Sequence, residues 1–243
     1  MNAAPGGPGR RPLRIGHRGA AGTHPENTLA SFRQAVALGV DGIEFDVQRT
    51  RDGHLVVLHD PTLDRTTNLH GLVRDLTLEE VRRADAGSWK GPQFAGERVP
   101  TLEEVIRKLP QRLLLFLELK AGSLHYPGIE EQLLRVLQEE GALGRTQVSS
   151  FDHQALHRLH QLAPDLPLGM LYTCNLMDPV GLAEAVGARA LHPAFLWVTP
   201  ELVARAHAAG LQVIAWTVNQ PAFVQQMKAC GVDGIISDFP DRI

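Results

Sequence analysis

Residues 41–60 read DGIEFDVQRTRDGHLVVLHD, and this stretch decides the fold. Two apolar runs, 41–47 and 55–59, have the character of strands, and only a short polar connector joins them. A parallel pair requires a crossover of about a dozen residues or more, so the second run must fold back on the first. Asp52-Gly53 between apolar flanks supplies the hairpin turn. Centring the turn on that dipeptide pairs Arg51 with His54 and Thr50 with Leu55, and the same register sets Asp46 opposite His59.

Outward from the hairpin, short apolar runs at 13–19, 112–119, 146–150, 167–171, 189–192, 212–218 and 234–237 alternate with segments of helical period, as in repeated βα units. Pro25-Glu26-Asn27 opens one helix that closes at Gly39, Thr101 with Glu104 forms a capping box, and Pro200/Gly210 and Pro221/Gly231 frame two more. Nine strands are one too many for an eight-stranded barrel, and the antiparallel arm accounts for the extra one. The expectation is an α/β TIM (β/α)8 barrel over residues 13–243, with a β-hairpin extension after the second barrel strand. A small insertion subdomain is expected at about 61–100, with a short helix near 78–84, because a structureless loop of that length is unusual.

The 243 residues, 44% hydrophobic and 21% charged, suit a soluble globular domain. A formal charge of −3 provides no basic stripe for a phosphate polymer, which argues against nucleic acid as partner. No run is long and apolar enough for a membrane span, and no stable membrane association is expected. Residues 1–12, rich in Gly and Pro without a secretory apolar segment, read as a disordered tail of a cytoplasmic protein. Cys174 and Cys230 have no ligand or redox spacing and read as buried thiols.

TIM barrels place their chemistry at the carboxyl ends of strands, where this chain carries His17, Arg18, Glu44, Asp46, His59, Asp60, Glu118, Lys120, His192 and Asp238. Glu44 and Asp46, two apart, share one face of a strand, as do Glu118 and Lys120. The three carboxylates suit a hard divalent cation, Mg²⁺ or Ca²⁺; the alternative is a set of buried ion pairs with Arg18 and Lys120. His17 and His59 are a candidate acid–base pair for cleaving a phosphodiester, with Arg18 and Lys120 as phosphate contacts. Trp216 either offers its ring to an aliphatic moiety of the substrate or packs the barrel.

His17-Arg18-Gly19, Pro25-Glu26-Asn27-Thr28, Glu44 with Asp46, Val57-Leu58-His59-Asp60, Asp64-Arg65-Thr66-Thr67, Pro100-Thr101-Leu102-Glu103-Glu104, Glu118-Leu119-Lys120 and Trp216-Thr217-Val218-Asn219 together resemble the glycerophosphodiester phosphodiesterase family. The resemblance runs from about residue 15 to 240, and the closing Ser237-Asp238-Phe239-Pro240 departs mildly from the usual Thr-Asp-x-Pro. It implies hydrolysis of small glycerophosphodiesters, such as glycerophosphocholine or glycerophosphoethanolamine, to sn-glycerol 3-phosphate and an alcohol. It further implies a cation on Glu44, Asp46 and Glu118, acid–base roles for His17 and His59, and phosphate contacts from Arg18 and Lys120. Two alternatives stand beside it. One is a lysophospholipase D, whose acyl chain would meet Phe195-Leu196-Trp197; the other is a phosphodiester-binding protein without catalysis.

Overall fold

The computed structural model describes residues 11–243. Its strands are β1 (Leu13–His17), β2 (Gly42–Arg49), β3 (Leu55–Val57), β4 (Leu114–Leu119), β5 (Thr146–Ser150), β6 (Leu168–Tyr172), β7 (Ala190–Pro193), β8 (Gln212–Ala215) and β9 (Gly234–Ser237). Eight of them run parallel and close into a barrel, because β1 pairs with both β2 and β9, while β3 lies outside the ring, antiparallel on β2. The TIM barrel with a returning arm is therefore the observed fold.

Helices α1 (Leu29–Ala37), α2 (Leu78–Arg82), α3 (Leu102–Lys108), α4 (Ile129–Glu139), α5 (His153–Leu162), α6 (Pro179–Ala185), α7 (Pro200–Ala208) and α8 (Pro221–Cys230) complete the chain, and all but α2 connect barrel strands. The capping box forms: Thr101 accepts from the Glu104 amide, and Glu104 accepts from the Thr101 amide. Pro200 and Pro221 occupy first turns, and Gly231 caps α8 at φ +81°.

Strand alternation divides the core. Ile43, Phe45 and Val47 of β2 and Leu115, Leu117 and Leu119 of β4 face outward beneath the helices. Leu13, Ile15, Leu114, Phe116, Ile214 and Ile236 face inward and plug the amino-terminal half of the barrel. Gly42 makes room for this plug, since a Cβ there would come within 2.6 Å of the Phe116 ring. Two residues further along the same inward faces, apolar gives way to polar: Ile15 to His17, Phe116 to Glu118, Ile236 to Asp238. The pattern that fills the bottom of the barrel thus aims the charged groups at its carboxyl-terminal mouth.

The hairpin register differs from expectation by one residue. Val47 pairs with Val57 and Arg49 with Leu55, so Leu58, not His59, lies opposite Asp46 and donates its amide to the Asp46 carbonyl at 3.1 Å. The loop has three residues rather than two: Thr50 pairs with His54 around Arg51-Asp52-Gly53, and Gly53 takes the left-handed φ of +88° that such a loop needs.

Other expectations shift too. Helix α1 begins at Leu29 behind its N-cap Thr28, because Asn27 is left-handed at φ 57° and spends its side chain on Asp46. The first strand stops at His17, where Arg18 turns left-handed at φ 49°. Cys174 is exposed in the loop after β6 and Cys230 is partly exposed at the end of α8, so neither is a buried thiol. The tail expected over residues 1–12 lies, up to residue 10, outside the described residues. Arg11 is held by Asp41 through hydrogen bonds of 2.6 and 2.8 Å.

Residues 61–100 carry α2 and a hydrophobic cluster of their own, built from Leu63, Val73, Val81, Ala84, Ala86 and Val99 with Val56 and Leu58 of the arm. Leu55 and Val57 face the other way, into the main core. The arm is clamped between two apolar layers. No helix among the described residues is long and apolar enough to cross a membrane.

Candidate active site

Register brings the predicted residues together at the barrel mouth. His17 pairs with Glu44 across β1 and β2, and Asp46 with Glu118 across β2 and β4. One oxygen from each of Glu44, Asp46 and Glu118 lies within 4.8 Å of the others, and all three residues are buried. Burial, with Asp46 and Glu118 alongside, holds the Glu44 carboxyl well above its ordinary value. Burial and Asp46 likewise push Glu118 up to about 7, against the pull of Lys120. Burial also disfavours the Asp46 carboxylate, yet Arg18 and Lys120 bring it down to about 2.

Arg18 and Lys120 lean on this cluster: Arg18 Nε is 3.4 Å from Asp46, and Lys120 Nζ is 2.6 Å from Glu118 and 3.5 Å from Asp46. Burial and mutual crowding therefore keep Glu44 and Glu118 from ionising as readily as free carboxyls, with only Asp46 held firmly as the anion. Asp46 Oδ1 is buried without a hydrogen-bond partner, and the clustered hard oxygens fit a divalent cation, which would neutralise what burial now penalises. The ion pairs and the cation-suited cluster are made of the same groups.

Each histidine has a carboxylate behind it. His17 Nδ1 is 2.6 Å from Asp238 Oδ1, and His59 Nδ1 is 2.6 Å from Asp60 Oδ1. A carboxylate accepts only from a protonated nitrogen, so both rings hold their proton on Nδ1, and His17 turns Nε2 toward the carboxylate cluster, 3.9 Å from Glu44. Burial, with Arg18 and Lys120, lowers the His59 imidazole below its ordinary value, while Asp46 acts in the opposite sense.

A sequence model of the glycerophosphoryl diester phosphodiesterase family matches residues 17–242. The chain belongs to this family. It is 46% identical over 232 residues to a glycerophosphodiester phosphodiesterase of Caldanaerobacter subterraneus subsp. tengcongensis, covering 95% of this chain and 96% of that protein. A Bacillus altitudinis glycerophosphodiester phosphodiesterase is 40% identical, over 93% of this chain and 94% of its own length. Among solved structures, an Oleispira antarctica phosphodiesterase in complex with its product sn-glycerol-3-phosphate superposes at a TM-score of 0.87 with 34% identity, covering 94% of each chain. This phosphodiesterase is accordingly an enzyme that hydrolyses glycerophosphodiesters.

Several residues around the phosphodiesterase site were not singled out for a site role by spacing. Glu26 accepts from Arg18 at 2.6 Å and from two nitrogens of Arg65 at 2.8 Å each. Arg65 also donates to both oxygens of Asp60, which these bonds and His59 hold down to about 2. A continuous chain of charged contacts thus runs from His59 through Asp60, Arg65 and Glu26 to Arg18. On the other flank, Asn219 donates to Asp238 at 2.6 Å and accepts from its amide at 2.9 Å. Asn27 donates to Asp46 at 2.7 Å. Glu26, Asn27, Arg65 and Asn219 all stand in the stretches that carry the family resemblance, and that was the signal available.

Trp216 joins the inner apolar cluster, donates Nε1 to the His192 carbonyl at 2.8 Å and meets Phe151 edge-on at 5.5 Å. Packing is therefore part of its role. His192 is not brought into the site: it is buried within the barrel against Gln147, and burial lowers it to about 3. Phe195 packs on Phe223, whereas Leu196 is 70% exposed. A cavity of about 470 Å³, lined by Arg49, Arg51, Arg74, Asp75, His125 and Tyr126 among others, runs beside the hairpin, and none of the predicted site residues lines it.

Proposed function

We propose that this chain is a divalent-metal-dependent hydrolase that converts glycerophosphodiesters such as glycerophosphocholine or glycerophosphoethanolamine to sn-glycerol 3-phosphate and an alcohol. The observation that carries the reading is the pair of histidines, each backed by a carboxylate, beside three clustered carboxylates. Glu44, Asp46 and Glu118 would hold the cation, Mg²⁺ or Ca²⁺, which supplies charge neutralisation to the phosphoryl oxygens. One of His17 and His59 takes the proton of the nucleophile at Nε2 and the other delivers a proton to the departing alkoxide. Asp238 and Asp60 stabilise the imidazolium each ring becomes in turn. Arg18 and Lys120 hold the phosphate as fork and point charge. The nucleophile is water, or the glycerol hydroxyl, whose cyclic phosphate water then opens to sn-glycerol 3-phosphate. Cytoplasmic location and a single domain over residues 13–243 complete the proposal.

The test is release of sn-glycerol 3-phosphate, followed by a coupled enzyme, from glycerophosphocholine in the presence of metal. Failure to release it from any glycerophosphodiester would sink the reading.

A second reading, action on lysophospholipids, is favoured by one observation. Phe151, Met177 and Leu196 are exposed apolar residues in the loops that follow β5, β6 and β7, on the face that bears the site. Comparing glycerophosphocholine with lysophosphatidylcholine under identical conditions separates the two.

A further inference from the structure

The ladder between β2 and β3 ends early. After the Leu58 amide bonds to Asp46, the arm leaves its partner strand, and the carbonyls of Leu58, His59 and Asp60 have no strand to pair with. They converge instead on one side chain. Gln48 Nε2 lies 3.3 Å from the Leu58 carbonyl and 3.0 Å from that of His59, and also donates to that of Asp60. Its other end is fixed as well, because Gln48 Oε1 accepts from the Tyr126 hydroxyl at 3.0 Å. The amide orientation follows from these partners: three carbonyls only accept, and a hydroxyl can donate.

Gln48 is buried, and it follows Glu44 and Asp46 at the same spacing of two along β2. One inward face thus carries two clustered carboxylates and then the amide that grips the backbone on both sides of His59. Tyr126, in the loop between β4 and α4, is itself buried and tethers that amide from the loop after the neighbouring strand. Unpaired, the Leu58 carbonyl would be a buried acceptor without a partner and those of His59 and Asp60 partly buried ones, and the arm would move to find others.

We infer that Gln48, braced by Tyr126, is a positioning residue that sets the His59 imidazole relative to the carboxylate cluster. The inference rests on the reading of His59 as an acid–base group. Gln48 touches no reacting atom; it acts by holding backbone, so its loss costs turnover rather than substrate binding. A displacement of about 1 Å at a reacting group lowers rate by up to about 10²-fold.

The experiment compares Gln48→Met, Tyr126→Phe, His59→Ala and the double variant Gln48→Met/His59→Ala, with glycerophosphocholine as substrate and Mg²⁺ binding read by calorimetry. Gln48→Met should lower kcat by about tenfold or more with KM and Mg²⁺ affinity nearly unchanged, and should lower the residual rate of His59→Ala no further. Tyr126→Phe, which keeps the ring, should lower kcat by a smaller factor in the same direction, and serves if Gln48→Met does not fold. Normal turnover in Tyr126→Phe and in any folded Gln48→Met, in a protein that His59→Ala inactivates, would overturn the inference alone. Equal losses with and without His59, or weakened Mg²⁺ binding, would overturn it too, by showing a merely structural residue. Near-normal turnover in His59→Ala would instead remove the acid–base reading on which it stands.

Discussion

His17 and Asp238 lie 221 residues apart in sequence, yet the imidazole Nδ1 and the carboxylate Oδ1 are 2.6 Å apart, joined where β9 closes the barrel against β1. Barrel closure is therefore what fixes the tautomer of this histidine. Asp238→Asn keeps shape but offers the ring a weaker and ambiguous partner, so Nδ1–H is no longer enforced. Turnover should fall on the order of 10²-fold while the circular dichroism spectrum stays unchanged. An unaltered rate would show that the contact has no catalytic consequence.

His17→Ala and His59→Ala should each lower kcat by roughly 10²- to 10⁴-fold, the usual worth of a positioned acid or base. Steady-state assay of both variants checks this. If both turn over nearly as fast as the parent, the acid–base assignment is wrong.

Arg65 grips Asp60 and Glu26 with paired nitrogens, linking the arm that bears His59 to the turn that bears Arg18. Lysine provides the charge without the fork. Arg65→Lys should therefore recover little of the loss seen in Arg65→Ala, expected at about tenfold in kcat. Full rescue by lysine would mean that charge alone matters there.

The carboxylate cluster also governs stability. Glu118 has an ordinary value of 4.5 and is pushed up to about 7 by burial and Asp46. An acid raised in the folded state holds its proton there after the unfolded chain has lost it, so its contribution declines as pH rises from 4.5 to about 7. Asp46, lowered from 3.8 to about 2, acts in the opposite sense only below that window. In excess chelator, thermal stability should fall across this range, Glu118→Gln should flatten the fall, and Mg²⁺ or Ca²⁺ should reverse it. Calorimetric scans at several pH values measure this; a slope unaffected by Glu118→Gln would contradict the account.

The architecture was legible because its signals are local. Asp52-Gly53 announced a reversal, and the i, i+2 spacing of Glu44 and Asp46 put both on one face of a strand. Register was not legible to the residue, since the same dipeptide serves a two-residue turn or a three-residue loop with Gly53 left-handed, and the second is the one in which Val56 and Leu58 pack into the insertion. The partners of the histidines were legible as strand-end carboxylates but not as partners. Asp238 meets His17 through barrel closure, and Arg65 reaches Glu26 across 39 residues through the fold of the insertion. Exposure of Cys174 likewise depends on loop shape, which no spacing encodes.

The most direct test of the account is a metal titration of activity. Protein stripped with chelator should hydrolyse glycerophosphocholine negligibly, and turnover should return with Mg²⁺ or Ca²⁺ in the parent but not in Glu44→Gln or Glu118→Gln. Full turnover in excess chelator, or equal recovery in those variants, would contradict it.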